Sequence, residues 1–156
     1  MPSATIKIFL VHGDPKRLRT AEISNWTGKA VAGPRSEFDS VIAREESKNS
    51  GVYFLTGTDP ETGKSSLYVG EAESIRDRVK GHLDKDFWNH ITFFTSKDEN
   101  LTKAHIRYLE GRDKLAVPTS RIAKVAERAF RNLTGKKWRY FLKKFINYCP
   151  YLAWRH

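Results

Sequence analysis

The sequence has one cysteine, Cys149, among its 156 residues. A single thiol cannot form an intramolecular disulfide or a cysteine-based zinc site, which excludes a small disulfide-stapled secreted domain. No apolar run approaches the roughly 20 residues of a membrane-spanning helix. The most apolar early run, residues 6–11, contains Lys7 and stops at His12 and Gly13. These absences predict a soluble, cytoplasmic protein that does not bind a membrane.

The composition favours one compact domain with appendages. Hydrophobic residues make up 39% of the chain and aromatic residues 12%, enough for a real core at this length. Neither an internal repeat nor a low-complexity segment appears.

Acidic residues are scarce in the last third. Residues 1–100 hold 14 Lys or Arg and 15 Asp or Glu, a net charge of −1, whereas residues 101–156 hold 14 Lys or Arg and only 3 acids, a net charge of +11. Such a localised positive segment is typical of proteins that bind polyanions, and modestly favours nucleic acid. A basic tail that only aids solubility would have the same composition.

Periodicity predicts the order of the elements. Residues 5–11 are predicted as a strand, 24–31 as a second short strand, and 36–47 as an amphipathic helix with Phe38, Val41 and Ile42 on its apolar face. Two further apolar runs, 52–55 and 66–69, flank a segment full of turn-forming residues and predict a long-looped antiparallel hairpin.

A helix over residues 71–83 is predicted next, with Ile75, Val79 and Leu83 on its buried face. A strand over 91–95 and a helix to about Arg112 follow, and the latter begins at a Ser-x-x-Glu capping pattern. Two helices are predicted beyond Pro118, and the last presents a basic face.

The hairpin carries two tripeptides, Gly51-Val52-Tyr53 and Tyr68-Val69-Gly70. With Arg78 eight residues after the second tripeptide and Glu110 on the helix after the third strand, they resemble the motifs of the GIY-YIG nuclease family. The resemblance covers residues 51–112. The segments 26–29, 95–98 and 100–104 look like those of bacterial members with an extra N-terminal segment.

The resemblance implies an α+β fold: a small antiparallel three-stranded sheet flanked by helices, with an N-terminal strand and helix extension and basic C-terminal helices. It implies an extension at residues 1–50, a catalytic module at 51–112 and a basic helical segment at 113–156 that contacts nucleic acid.

The resemblance also implies an enzyme, a metal-dependent endonuclease that hydrolyses phosphodiester bonds in DNA. Glu110 would hold one divalent ion, Mg²⁺ or Mn²⁺, since magnesium prefers oxygen ligands and keeps several waters. Arg78 would bind the scissile phosphate. Tyr53 and Tyr68 would direct hydroxyls into the site, Tyr53 being the preferred base, and His82, one turn after Arg78, would relay a proton or contact phosphate.

DNA is the expected partner, and six basic residues are predicted to contact it: Arg76, Lys80, Lys103, Lys136, Lys137 and Arg139. Members of the family usually have an Asn after the metal-binding Glu, and Asn132 is the candidate here. The chain departs from the family's pattern from Asp113 onward.

Taken singly, these residues have ordinary interpretations: strand tyrosines, a solvated helix arginine, a surface acid. Their occurrence together at the family's spacing favours the functional interpretation. His90 and His105 have no evident partner and are interpreted as packed or surface histidines. Two alternatives stay open, namely a nucleic-acid-binding module whose nuclease site has decayed and an RNA-directed nuclease. The setting would be repair, restriction of invading DNA or a mobile element.

Overall fold

The computed structural model describes residues 5–24, 28–58, 60–96 and 115–116. These residues form one antiparallel sheet and two short helices, which confirms the predicted α+β class. In chain order the elements are β1 Ile6–Leu10, β2 Arg19–Ile23, β3 Gly28–Pro34, α1 Phe38–Ala43, β4 Gly51–Thr58, β5 Ser65–Ala72, α2 Ile75–Lys80, β6 His90–Ser96 and β7 Leu115–Ala116.

The sheet has the strand order β1-β2-β3-β6-β4-β5-β7. The prediction of three strands was therefore wrong. β3 pairs with β6 from Gly28↔Ser96 to Pro34↔His90, so the N-terminal strands continue the sheet of the hairpin. The prediction missed β2 because its sequence, Arg-Thr-Ala-Glu-Ile, mixes charged and apolar residues without a clear apolar face.

The predicted hairpin is confirmed as β4 and β5. Its strands pair from Gly51↔Ala72 to Thr58↔Ser65, and each is longer than its apolar run. Residues 51–56 of β4 are all buried, so both faces of this strand are covered. Burial on both faces accounts for a continuous apolar run where a half-exposed strand would alternate.

One face of the sheet packs against both helices. The cluster joins Tyr53, Leu55 and Phe93 from the sheet to Val41 of α1 and Ile75 of α2. Helices and strands therefore bury a shared apolar core directly beneath the hairpin.

Helix α2 is shorter than predicted. The Ser74 side chain caps its N-terminus by accepting a hydrogen bond from the Asp77 backbone N–H, and the helix ends at Lys80. Ile75 and Val79 are buried as expected, whereas Leu83 lies beyond the helix and is 43% exposed. Residues 71–72 still belong to β5, so the predicted helix began too early.

Helix α1 is likewise confined to six residues, with 3-10 turns at Arg35–Glu37 and Glu45–Lys48 on either side. Phe38 and Val41 are buried in it as predicted, whereas Ile42 is only half-buried against the core. The predicted helices between residue 97 and the C-terminus lie outside the described residues. Among the described ones, no helix has the length and apolar character needed to cross a membrane.

Candidate active site

The two motif tyrosines lie on the helix-covered face of the hairpin. Tyr53 on β4 pairs directly with Gly70 on β5, and Tyr68 precedes Gly70 by two residues. Residues two apart on a strand point to the same face, so Tyr53 and Tyr68 are diagonal neighbours. Their ring centroids are 6.0 Å apart and the rings are stacked.

Gly70 provides the space that the Tyr53 ring occupies. A Cβ atom at position 70 would lie 2.3 Å from both Cζ and the hydroxyl oxygen of Tyr53. Gly70 has no positive φ, so close approach of the phenol accounts for the glycine at this position.

His82 completes the cluster from the turn that follows α2. Its backbone N–H donates to the Val79 carbonyl at 2.9 Å. Its Nε2 lies 2.9 Å from the Tyr53 hydroxyl, and its ring centroid is 4.7 Å from that of Tyr68. The helix that was expected to carry both Arg78 and His82 ends at Lys80, so His82 lies on the turn that follows, although the Arg78 charge still acts on its ring.

Burial shifts the pKa values of Tyr53 and His82 so that both side chains are neutral near pH 7. Burial raises the pKa of Tyr53 far above its ordinary value, the neighbouring Tyr68 raises it further, and the positive charge of Arg78 opposes the shift. Burial lowers the pKa of His82, and the charges of Lys85 and Arg78 lower it further against Asp84. At neutral pH a protonated Tyr53 hydroxyl therefore faces a neutral imidazole, and in the tautomer that carries its proton on Nδ1 the hydroxyl donates to Nε2.

The residues of the cluster differ in their exposure to solvent. Tyr53 is only 1% exposed, Tyr68 and His82 are half-buried, and Arg78 on α2 is exposed. The guanidinium of Arg78 still acts electrostatically on Tyr53 and His82. A molecule arriving from solvent would meet Arg78, Tyr68 and His82 before it met Tyr53.

Two predicted DNA contacts lie on α2. Lys80 is exposed at the end of the helix. Arg76 is half-buried: its Nε donates to the Ile42 carbonyl at 2.7 Å and its Nη2 to the Arg44 carbonyl at 3.3 Å. Arg76 thus ties α2 to the end of α1 and to the residue that follows it, while its predicted contact with DNA stays a prediction.

The loop that carries His82 is held by residues that the sequence did not reveal. Trp88 is 2% exposed, and its indole Nε1–H donates to the His82 carbonyl at 2.9 Å. The Arg35 guanidinium lies over the Trp88 ring, 4.4 Å from the centroid. Only the tertiary fold brings Arg35 and Trp88 together, because they are 53 residues apart.

His90 is a packed histidine, as predicted, but it has a partner. Its Nε2 lies 3.3 Å from Nη2 of the buried Arg19, on the opposite face of the sheet from the tyrosines. Burial, reinforced by the Arg19 charge, lowers the pKa of His90 to about 3. The imidazole is therefore neutral near pH 7 and accepts a hydrogen bond from the guanidinium.

The predicted metal ligand Glu110 lies outside the described residues, as do Lys103, His105, Asn132, Lys136, Lys137 and Arg139. Within the described part of the chain, no three His, Cys, Asp or Glu side chains are grouped so that they could hold a metal ion.

The chain matches no protein-family model, and no curated protein or solved structure is significantly similar to it.

Proposed function

We propose that this protein is a divalent-metal-dependent endonuclease that hydrolyses phosphodiester bonds in DNA. One observation carries the proposal: Tyr53, Tyr68 and His82 meet in one cluster beside Arg78, and the Tyr53 hydroxyl lies 2.9 Å from His82 Nε2. The two tripeptides and Arg78 are the residues whose spacing resembles the GIY-YIG family.

The cluster offers a path for the proton of an attacking water. The half-buried Tyr68 accepts this proton as its hydroxyl turns to donate its own to Tyr53, and Tyr53 passes its hydroxyl proton to His82 Nε2. The water oxygen bonds to phosphorus, the bond from phosphorus to the leaving oxygen breaks, and the imidazole becomes imidazolium. The lowered pKa of His82 keeps its Nε2 available to accept the proton.

In this path Tyr53 relays a proton between two side chains and does not itself take a proton from water. Its raised pKa and its burial disfavour a free phenolate, whereas a hydroxyl that donates to His82 as it accepts from Tyr68 never carries a full negative charge. Tyr53 thus stays within the base system that the motif predicts, in an interior position.

Arg78 is suited to bind the phosphate. It is exposed at the edge of the cluster, and its planar guanidinium can donate two parallel hydrogen bonds to phosphate oxygens. The negative charge that builds up on the phosphate in the transition state strengthens this interaction, which is the condition for faster reaction.

Glu110 is the residue that would hold the metal ion. The cluster itself consists of two phenols, an imidazole and a guanidinium, so the carboxylate that a hard cation prefers comes from another residue, and the family resemblance gives that role to Glu110. Mg²⁺ accepts one protein carboxylate together with waters and phosphate oxygens. When bound, the ion would stabilise negative charge on the phosphate and on the leaving oxygen.

DNA is proposed as the substrate because the net charge of residues 101–156 is +11. A segment of this net charge attracts phosphate backbones without regard to base sequence, and binding should weaken steeply as salt is raised.

The test is a cleavage panel with the full chain. End-labelled single-stranded, duplex and branched DNA, and matching RNA, are incubated with Mg²⁺ or Mn²⁺. Arg78→Ala and Glu110→Ala should lose most of the activity, and Tyr53→Phe should lose about 100-fold to 10,000-fold, the usual contribution of general-base catalysis. Arg17→Ala, an exposed residue paired with Glu37 away from the cluster, is the control.

The proposal fails if wild type leaves every polymer intact with either metal, or if Glu110→Ala cuts as wild type does. Salt-sensitive DNA binding without cleavage would instead identify a binding module with a decayed site. Preferential cutting of RNA when both polymers compete would identify an RNA-directed nuclease.

A further inference from the structure

Residues 81–89, the loop between α2 and β6, lack a helix or strand of their own, yet they carry His82. A side chain on such a loop keeps a fixed position only when other parts of the fold hold the loop backbone. The contacts of this loop therefore decide how His82 meets Tyr53.

Arg35, the first residue after β3, makes several of these contacts. Its Nη2 donates to the Leu83 carbonyl at 2.6 Å, and its Nη1 donates to the carbonyls of Lys85 and Trp88. The Arg35 backbone N–H also donates to the Asn89 carbonyl at 2.7 Å. One residue thus binds four carbonyls spread over seven residues of the loop.

Trp88 connects this anchor to the histidine. Its ring lies under the Arg35 guanidinium and packs beside Phe38, while its Nε1–H donates to the carbonyl of His82 itself. Contacts with Arg35 and Phe38 fix the orientation of the indole, and with it the direction of its N–H. Because this N–H binds the His82 carbonyl, the indole also holds the backbone at His82.

We propose that Arg35 and Trp88 are positioning residues, which we call the Arg35–Trp88 clamp, and that they hold His82 against the Tyr53 hydroxyl. The catalytic meaning of the clamp rests on the proposed function. Its structural consequence is that the site needs residue 35, which lies outside the 51–112 span that resembles the family. Arg35 acts through the loop backbone and is not a catalytic residue.

The position of His82 is sensitive to small movements, because groups from three elements face it. Tyr53 and Tyr68 approach from the hairpin, Arg78 from α2, and Asp84 and Lys85 from the loop. A shift of the loop would lengthen the bond to Tyr53 and expose the imidazole to water.

The most selective variant is Trp88→Phe, which keeps an aromatic ring for Arg35 and Phe38 and removes the indole N–H that binds His82. Arg35→Lys keeps the positive charge and removes the planar fork that reaches several carbonyls. Arg17→Lys is the matched control, since Arg17 pairs with Glu37 of the same 3-10 turn.

The readout is the ¹⁵N spectrum of the His82 ring in the full chain. In wild type and Arg17→Lys, Nε2 should be the unprotonated, hydrogen-bonded nitrogen over the neutral range. In Trp88→Phe and Arg35→Lys the ring should shift toward the Nε2–H tautomer of a free side chain, with its pKa moved up toward 6.5. If cleavage is measurable, kcat should fall on the order of 100-fold with KM little changed.

Folded Trp88→Phe or Arg35→Lys protein with a wild-type His82 spectrum would overturn the clamp. Wild type itself provides a further test, because the Trp88 indole N–H should exchange slowly with solvent, and fast exchange would contradict the bond to His82. Neither measurement needs nuclease activity. Failure of the cleavage panel with positive spectra would therefore refute the nuclease and leave the clamp standing.

Discussion

Substituting Gly70 with alanine tests how the second tripeptide is built. The new Cβ would lie 2.3 Å from Cζ and the hydroxyl of Tyr53 and 2.7 Å from Cε1, whereas optimal carbon contacts are about 3.5–4.0 Å. The Tyr53 ring must therefore move by about 1 Å within a closely packed core. Displacement of the ring should also break its hydrogen bond to His82.

Overpacking of this kind costs about 1–3 kcal/mol, and the lost hydrogen bond adds about 1 kcal/mol. We expect Gly70→Ala to lower the free energy of unfolding by about 2–4 kcal/mol, measured by urea unfolding with circular dichroism detection. Gly81→Ala is the control. Gly81 follows α2 with a φ of −67°, and the nearest atom to an added Cβ is the Arg78 carbonyl oxygen at 3.3 Å.

A double-mutant cycle isolates the cause. In a Tyr53→Ala background the ring is absent, so Gly70→Ala should cost much less, and the coupling between the two substitutions should lie at about 1–3 kcal/mol. An unchanged stability of Gly70→Ala, or a coupling near zero, would refute the explanation that Gly70 exists to admit the Tyr53 phenol. His82 ¹⁵N spectra of Gly70→Ala would show whether the ring has left the imidazole.

Two further predictions concern the framework. His90 is neutral in the folded protein because its pKa is lowered to about 3, while in the unfolded chain the imidazole has a pKa near 6.5. Stability should therefore fall as pH falls from 6.5 toward 3, by about 1–2 kcal/mol between pH 6.5 and 5. Urea unfolding across this range should show a shallower pH dependence in His90→Gln, and an unchanged slope would contradict the assignment. Ser74→Ala should cost about 1 kcal/mol through loss of the α2 cap, whereas Ser74→Asp should retain most of it in the same assay; equal losses would argue against capping.

Local sequence patterns predicted the parts of the fold that depend on neighbours in the chain. The two apolar runs and the turn-forming residues between them predicted the hairpin, and the buried positions Ile75 and Val79 followed from helical spacing. The pairing of β3 with β6 could not be predicted this way, because register between distant strands leaves no local signal. The early end of α2 was also hidden, since Leu83 continues the apolar spacing past Gly81.

In the candidate site too, local patterns predicted some residues and only the tertiary fold revealed others. The tripeptides identified Tyr53 and Tyr68, and the register explains their contact, because Tyr53 faces Gly70 and Tyr68 is two residues away. His82 was expected to share a helix face with Arg78, but α2 ends at Lys80, and the turn that follows brings His82 to Tyr53 while the Arg78 charge still acts on it. Arg35 carried no signal, since its importance lies in carbonyls about 50 residues away.

The depth of Tyr53 changes how the motif should be understood. A phenol that is 1% exposed and bonded to His82 is badly placed to touch a phosphate, and its raised pKa makes a free phenolate costly. The half-buried Tyr68 and His82 and the exposed Arg78 surround it on the side that solvent can reach. If the protein is a nuclease, Tyr53 of the first tripeptide is therefore an interior residue that connects the half-buried Tyr68 to the neutral His82. Gly70, its partner on the second strand, lacks the Cβ atom that would collide with the Tyr53 ring.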